Sequence, residues 1–399
     1  MRVFIGLTDI ANVTENYAKG FRALGHETFT CVWNRSYFYP ETQYNVVIDE
    51  RPAGSGHQLG IKELFRIVKN LLRAIKGLHC DVFVIYAPAI LPTYLIFPLL
   101  KLLRKKLVCV FWGSDIRYWY ALKEEMTQLG VADEMEPFFT FARERAGGSY
   151  FDKLRTVRAA EKYADLILSQ PEYSQLLSKP YNRATVPIDL SVFQNQPRLS
   201  EIPLVLHAPS VPEAKGTDVI LQVVEELRSE GIAFEFQKIE KMPATELRKL
   251  LSRADILIDQ LYSTTIASIA SEAAFSGCAV LARYLPEYSK VPMPCPIVNT
   301  NIHTFKEDLR KLIQDEPYRR TQALKGPEYV RSVNEHIQVA QRILSALTEG
   351  LEREYDFTPT FYRTLIIPED IIAEERRNAR RKRVEFFKIL LRTGTTRNT

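Results

Sequence analysis

A chain of 399 residues that is 46% hydrophobic and 25% charged has room for two domains with full cores, which excludes a disordered or fibrous class. The net charge of +5 is uneven: residues 376–392, RRNARRKRVEFFKILLR, carry +7 and leave −2 on the rest, so the body is no general polyanion binder and nucleic acid is excluded as a partner. Five scattered cysteines without C-x-x-C spacing exclude a disulfide framework and a zinc site and fit a reducing cytoplasm.

The first strand is RVFIGLT, at an N-terminus without signal-peptide layout. A helical pattern runs from Thr14 to about Leu24 and is closed by Gly25, before the strand HETFTCVW and a third apolar run, TQYNVVID. Ile61 to Ile75 carries a helical stripe of Ile61, Leu64, Ile67, Val68, Leu71 and Leu72. Val82 to Leu100 has no charge over 19 residues, close to a membrane span, but Pro88, Pro92 and Pro98 interrupt it. It reads as a strand, DVFVIYA, then a turn and an apolar helix ending at Lys101. KLVCVFWG is the next strand, Tyr150 to Tyr163 a helix, and ADLILSQ a strand. Alternation of this kind predicts a parallel sheet covered on both faces over residues 1–187.

Pro187, Pro197 and Pro203 mark a linker, placed at 188–200. A second domain, 201–350, restarts the alternation. Its strands are IPLVLHA, IAFEFQKI, ADILIDQ and AVLARY; its helices are Gly216 to Arg228, Ala244 to Leu251, about Thr265 to Gly277, Phe305 to Gln314, and about Glu328 to Leu347. Two doubly wound halves leave a cleft between the carboxyl ends of their sheets, where such sheets bind ligands. Residues 351–399 form a helical basic tail. Its Val384, Phe387, Leu390 and Leu391 share one helix face, which suits either an anionic membrane surface or docking back on the first domain.

The stretch LYSTTIASIASEAAFSGCAV follows the strand ADILIDQ. Its helix opens with small residues, so free amides and the helix dipole make that end suitable for a diphosphate. Glu272, set among Ala270, Ala273 and Ala274, suits a pair of sugar hydroxyls. The competing reading has Ser263 or Thr264 as a cap and Glu272 solvated. Lys215 stands just before a helix of the same domain and could meet the same diphosphate, or be a solvated lysine ahead of a Thr217 or Asp218 cap. Asp115, after KLVCVFWG, is the candidate for acceptor or sugar contact with Arg117 beside it; alternatively it caps the next helix with Ser114. His207 ends a strand toward the cleft, as a packed or as a functional residue. No Asp-x-Asp metal motif occurs.

The combination HAPS…KGTDVI, ADILIDQ and SEAAFSGCAV resembles the donor half of a GT-B glycosyltransferase, of the family 4, bacterial group 1 type. YFDKLRTVRAAEKYADLILSQPEYSQLL followed by VPIDLSVF, and the FWGSDIR loop, resemble the same family over about residues 1–345. The resemblance implies an α/β, two-domain GT-B fold with Rossmann-like halves. It also implies hexosyl transfer from a nucleotide-sugar donor to a glycan or lipid-linked acceptor in surface glycan or glycolipid synthesis, with neither cofactor nor metal. The protein would be cytoplasmic, or peripheral on the cytoplasmic membrane face. Lys215 would contact the diphosphate in a catalytic role alongside Asp115. Glu272 would hold the ribose, and the segment Thr265, Ala267 and Ser268 would bind phosphate, with Ser210 and Thr264 in the donor site. Asp9 and Asn12, in the loop after the first strand, would shape the acceptor side with Trp112 and Arg117. Four departures stand out: Thr264 replaces the first glutamate of E-x7-E, Trp112 replaces the loop histidine, Ala208-Pro209-Ser210 lacks the usual arginine, and the first loop lacks glycine. Thr264, Trp112 and the missing arginine support a rival reading, a weakened protein that binds sugar nucleotide or a partner glycosyltransferase. A sugar-nucleotide epimerase would need acidic and histidine groups at the sugar that are not identifiable.

Overall fold

The computed structural model describes residues 1–51, 61–86, 93–145, 149–198, 200–348 and 354–378. In the first lobe β1 (Arg2–Leu7), β2 (Glu27–Val32), β3 (Val46–Val47), β4 (Val82–Tyr86), β5 (Lys106–Phe111), β6 (Leu166–Ser169) and β7 (Asn182–Arg183) form one parallel sheet in the order β3-β2-β1-β4-β5-β6-β7. Side chains alternate between its faces. Val3, Ile5, Val82, Val84, Val108 and Val110 enter one apolar cluster, while Phe4, Phe83, Ile85, Leu107 and Cys109 enter the other. Phe4 and Phe83, in register on β1 and β4, stack at 5.1 Å.

The second lobe holds β8 (Leu204–His207), β9 (Glu235–Lys238), β10 (Ile256–Ile258), β11 (Ala279–Ala282) and β12 (Val298–Asn299), parallel, in the order β12-β11-β10-β8-β9. Strand order reverses between β1 and β4 in one sheet and between β8 and β10 in the other. The crevice beyond those carboxyl ends is where an open α/β sheet takes a ligand.

Three expectations change. The segment given to the second domain as 201–350 does not stay there: the helix His336–Thr348 buries Val339, Ala340 and Ile343 against Val13, Tyr17 and Phe21 of the first lobe. The single helix expected over about 328–347 is two, Glu316–Asn334 and His336–Thr348, broken at Glu335. Gly326 and Pro327 inside the first hid its true length in the sequence. The helix expected from Thr265 begins at Ser268, though it ends at Gly277, with φ +93°, as the sequence predicts.

The start of the tail docks on the first lobe. Tyr181 and Phe357 exchange backbone hydrogen bonds and stack at 5.1 Å, and Glu374 pairs with Arg143 at 3.1 Å. The amphipathic face at Val384–Leu391 lies outside the described residues. No helix among the described residues is long and apolar enough to cross a membrane; the uncharged run is the strand Val82–Tyr86 and the helix Thr93–Leu102. All five cysteines are free.

Candidate functional site between the lobes

The site is built from the switch point of the second sheet. After β8 the chain makes a short helix, Pro212–Lys215, and turns at Gly216. With φ +76° and Leu261 closing one side, that turn needs glycine. His207, fully buried, holds the turn in place. Its Nδ1 lies 2.9 Å from the Ile258 carbonyl, which can only accept, so Nε2 is left to accept from the Thr217 hydroxyl at 2.8 Å. Burial pulls the imidazole down to about 4, so it is neutral and serves as a clamp.

Lys215 is thereby aimed at Asp259, the residue after β10. Its ammonium donates to Oδ1 of a carboxylate with no exposed surface, while Oδ2 accepts the Ala267 amide at 3.0 Å. Lys215 and the head of the helix Ser268–Ser276 therefore do face each other, and Asp259 stands between them.

Both line a cavity of about 640 Å³ shared by the two lobes. Its second-lobe wall includes Ser210, Lys215, Ala267, Ser268 and Glu272. Thr8 to Ala11 of the loop after β1, and Trp33 to Tyr39, form the opposite wall. The first of these loops turns without glycine: Ala11 and Asn12 take positive φ, +53° and +58°, a strained conformation kept at functional positions. Asp9 accepts from the Thr14 amide at 3.1 Å and from the Tyr44 hydroxyl at 2.6 Å, and burial raises its carboxyl. The other loop reaches across, with the Phe38 carbonyl accepting the Ala244 amide at 3.0 Å.

Glu272 projects between this cavity and a smaller one of about 300 Å³ that also touches Asn12, Tyr39 and Arg248. Burial pushes its carboxyl up to about 7, opposed by the Arg248 charge. Burial and the charges of Glu272 and Asp9 hold the Tyr39 hydroxyl well above its usual range.

Five expected site residues do not line either cavity. Asp115 turns back on its own loop, accepting the amides of Trp112 at 3.2 Å, Gly113 at 2.8 Å and Ile116 at 3.1 Å. Arg117 lies buried 4.8 Å above the rings of both Phe138 and Tyr173. Trp112 packs beside the first lobe's apolar cluster. Thr264 is buried with its hydroxyl unpartnered, and Thr265 shares its hydroxyl with Tyr173 at 2.9 Å and Ser263 at 3.0 Å. These contacts belong to a seam between the lobes that sequence reasoning missed. Leu122, Phe138 and Tyr173 pack there against Ala214 and Tyr262, and Arg283 pairs with Glu134 at 3.2 Å. Also missed were Asp259 and the cations Arg35 and Lys241 of the cavity wall; the one sequence signal was a carboxylate closing the strand run ADILIDQ. Among the described residues no group of three or more His, Cys, Asp or Glu is placed to hold a metal ion.

No protein-family model matches the sequence, and neither does any curated protein. Solved structures do match the fold. A sucrose-phosphate synthase from Thermosynechococcus elongatus superposes with a TM-score of 0.57 at 13% identity, over 86% of this chain and 97% of that one. HepE from Anabaena, solved with UDP and glucose, gives 0.54 at 13% identity over 87% and 99%. WaaG, a glycosyltransferase of lipopolysaccharide biosynthesis, gives 0.51 at 14% identity over 88% and 100%. The chain has the two-domain, Rossmann-like GT-B fold of glycosyltransferases.

Proposed function

We propose that this protein, a glycosyltransferase of the family 4 kind, transfers a hexosyl group from a nucleotide sugar to an acceptor hydroxyl. The observation that carries the reading is the convergence of Lys215, the amides heading the helix Ser268–Ser276, and Glu272 on one interlobe cavity. That HepE is solved with UDP and glucose supports a nucleotide-sugar donor in the same crevice.

The chemistry breaks a bond from the anomeric carbon to a diphosphate oxygen. Charge develops on the departing diphosphate, so fixed donors aimed there stabilise the transition state. Lys215 and the free amides at Ser268 and Ile269 would supply them, and no resident metal is invoked. Glu272 would accept from the ribose hydroxyls. Asp9, across the cavity, would face the sugar or the incoming acceptor hydroxyl. A glycan or lipid-linked acceptor in surface glycan or glycolipid synthesis fits the WaaG likeness, with the protein working at the cytoplasmic side.

Three observations favour the second reading, binding with weakened turnover. The Lys215 charge is already met by Asp259, no arginine stands at 208–210, and Thr264 is turned away from the cavity. Incubation with a panel of nucleotide sugars, with release of nucleoside diphosphate measured, separates the two. Turnover abolished by Glu272→Ala supports transfer; binding without turnover supports the second reading; turnover indifferent to Glu272→Ala would move the site elsewhere.

A further inference from the structure

Two crossover helices of the first lobe, Ile61–Ala74 and Thr93–Leu102, cover the same face of the sheet. Ile67 and Ala74 of one, and Phe97 and Leu100 of the other, pack on a single apolar cluster. Each connects a strand to a later strand in the same direction across the sheet, from β3 to β4 and from β4 to β5, so right-handed crossovers set both on one face. Their outer sides are unusual. Five large apolar side chains between Phe65 and Ile75, and four between Leu95 and Leu103, are exposed. Phe65 is 72% and Leu102 79% exposed. Part of the apolar stripe of the first helix thus points away from the core: Ile67 is packed under, while Val68, Leu71 and Leu72 stand outward.

Charge around this patch is mainly positive, with Glu50 and Glu63 the acids beside it. Residues 65–76 and 93–106 together contain eight Lys and Arg and no Asp or Glu, more positive charge than the net +5 of the whole chain. Lys101 and Lys106 are answered by Asp165, and Arg66 by Glu50 and Glu63. Lys69, Arg73, Lys76, Arg104 and Lys105 have no ion pair among the described residues.

The geometry points to a docking surface for an anionic lipid bilayer on these two helices. Exposed leucine and phenylalanine side chains need an apolar phase to enter, and the lysines and arginines on the same two helices need anionic headgroups; a bilayer surface supplies both. A second copy of the chain fits poorly, because isologous pairing would bring two like-charged surfaces together. Nucleic acid offers the charge but no apolar phase. The inference does not depend on the donor chemistry. It also differs from the basic run 376–392 of the tail, which lies on other residues of the chain.

Co-sedimentation of the full chain tests it, with vesicles of phosphatidylcholine alone or mixed equally with phosphatidylglycerol. Binding to the mixed vesicles only is expected. Leu72→Glu with Leu102→Glu, and separately Lys69→Glu with Arg73→Glu, each weaken it by about tenfold or more. Arg380→Gln with Arg381→Gln, Lys382→Gln and Arg383→Gln leaves binding that still responds to the helix substitutions. All the altered positions on the helices are exposed, and unchanged melting temperatures confirm folding. Three results overturn the proposal: no binding by the parent chain, binding indifferent to both helix pairs, or self-association in sedimentation velocity without lipid that Leu72→Glu with Leu102→Glu abolishes.

Discussion

Lys215 and Asp259 form a buried ion pair, and the same carboxylate accepts the amide that heads the helix bearing Glu272. Asp259 therefore sits in part where a ligand's negative charge would sit, and it fixes the direction of the lysine. Breaking such a pair from one side leaves a charge without water or partner, at a cost of about 3–5 kcal/mol. Lys215→Ala is thus expected to lower stability by roughly that amount as well as weaken nucleotide binding. Lys215→Ala with Asp259→Ala should recover much of the stability and none of the binding. Urea unfolding of the four proteins of this cycle checks it; additive losses would mean the two residues do not interact.

Glu272 makes the apo protein sensitive to pH. Its carboxyl is held up at about 7 by burial, above its value in an unfolded chain, so the folded state keeps a proton that the unfolded state releases. The resulting stability is complete below the ordinary carboxylate range and is lost as pH rises toward about 7. Allowing for its opening to the cavity, the loss is on the order of 2 kcal/mol. Glu272→Gln should flatten this part of the stability profile. Binding runs the other way: ribose hydroxyls donate best to the ionised group, so UDP affinity should rise as pH passes through about 7 and stay level in Glu272→Gln. Calorimetric titrations on either side of that pH decide it.

Much of the frame was legible because the physics behind it is local. Apolar runs bounded by Gly25, Gly216 and Gly277 mark strands and helix ends, and the turn at Gly216 fixes where Lys215 can point. The meeting of Lys215 with the helix start was legible for the same reason, since both follow strands adjacent in one sheet. What failed depends on the other lobe. Leu122, Phe138 and Phe139 lie on helices Trp119–Gln128 and Glu136–Arg145, whose apolar residues address the opposite domain as well as their own core, so no clean stripe announces them. Thr265 is held outside the helix by Tyr173, more than ninety positions earlier in the chain. Asp115 neither caps the helix Trp119–Gln128, which has no side-chain cap, nor lines the cavity, because its three acceptor contacts all lie within five residues of its own loop.

Asp115→Ala accordingly acts through stability. It strands three amides of a buried loop, a loss of about 2 kcal/mol, and moves the melting temperature. At a temperature where the variant is folded, turnover per folded molecule should match the parent. A drop of about a hundredfold or more there, the scale of losing a proton-transfer group, would return Asp115 to the chemistry.

Tyr173→Phe tests the seam. The hydroxyl bonds Ser263 at 2.7 Å and Thr265 at 2.9 Å, across the lobes. The two second-lobe hydroxyls also bond each other at 3.0 Å, so the loss is modest, about 1 kcal/mol. The loop they anchor leads into Ala267 and the helix head, so a raised KM for donor with kcat nearly unchanged is expected. Equal effects on both would mean the seam governs closure of the lobes.

Ser210 offers the most direct test of the cavity. It is exposed on the cavity wall, in the stretch Ala208-Pro209-Ser210 that lacks a cation, on the same side as Lys215. With Lys215 met by Asp259, a diphosphate entering here finds amides and one shared ammonium. An added guanidinium can reach across a few ångströms of a partly screened crevice, where one opposite charge is worth roughly 1–2 kcal/mol. Ser210→Arg should therefore tighten UDP binding by about tenfold, with the gain falling as salt is raised. Asp259→Asn in the same background should add little, because the new cation no longer depends on the lysine. Isothermal titration at two ionic strengths reads both effects, and an unchanged affinity in Ser210→Arg would place the diphosphate away from this wall.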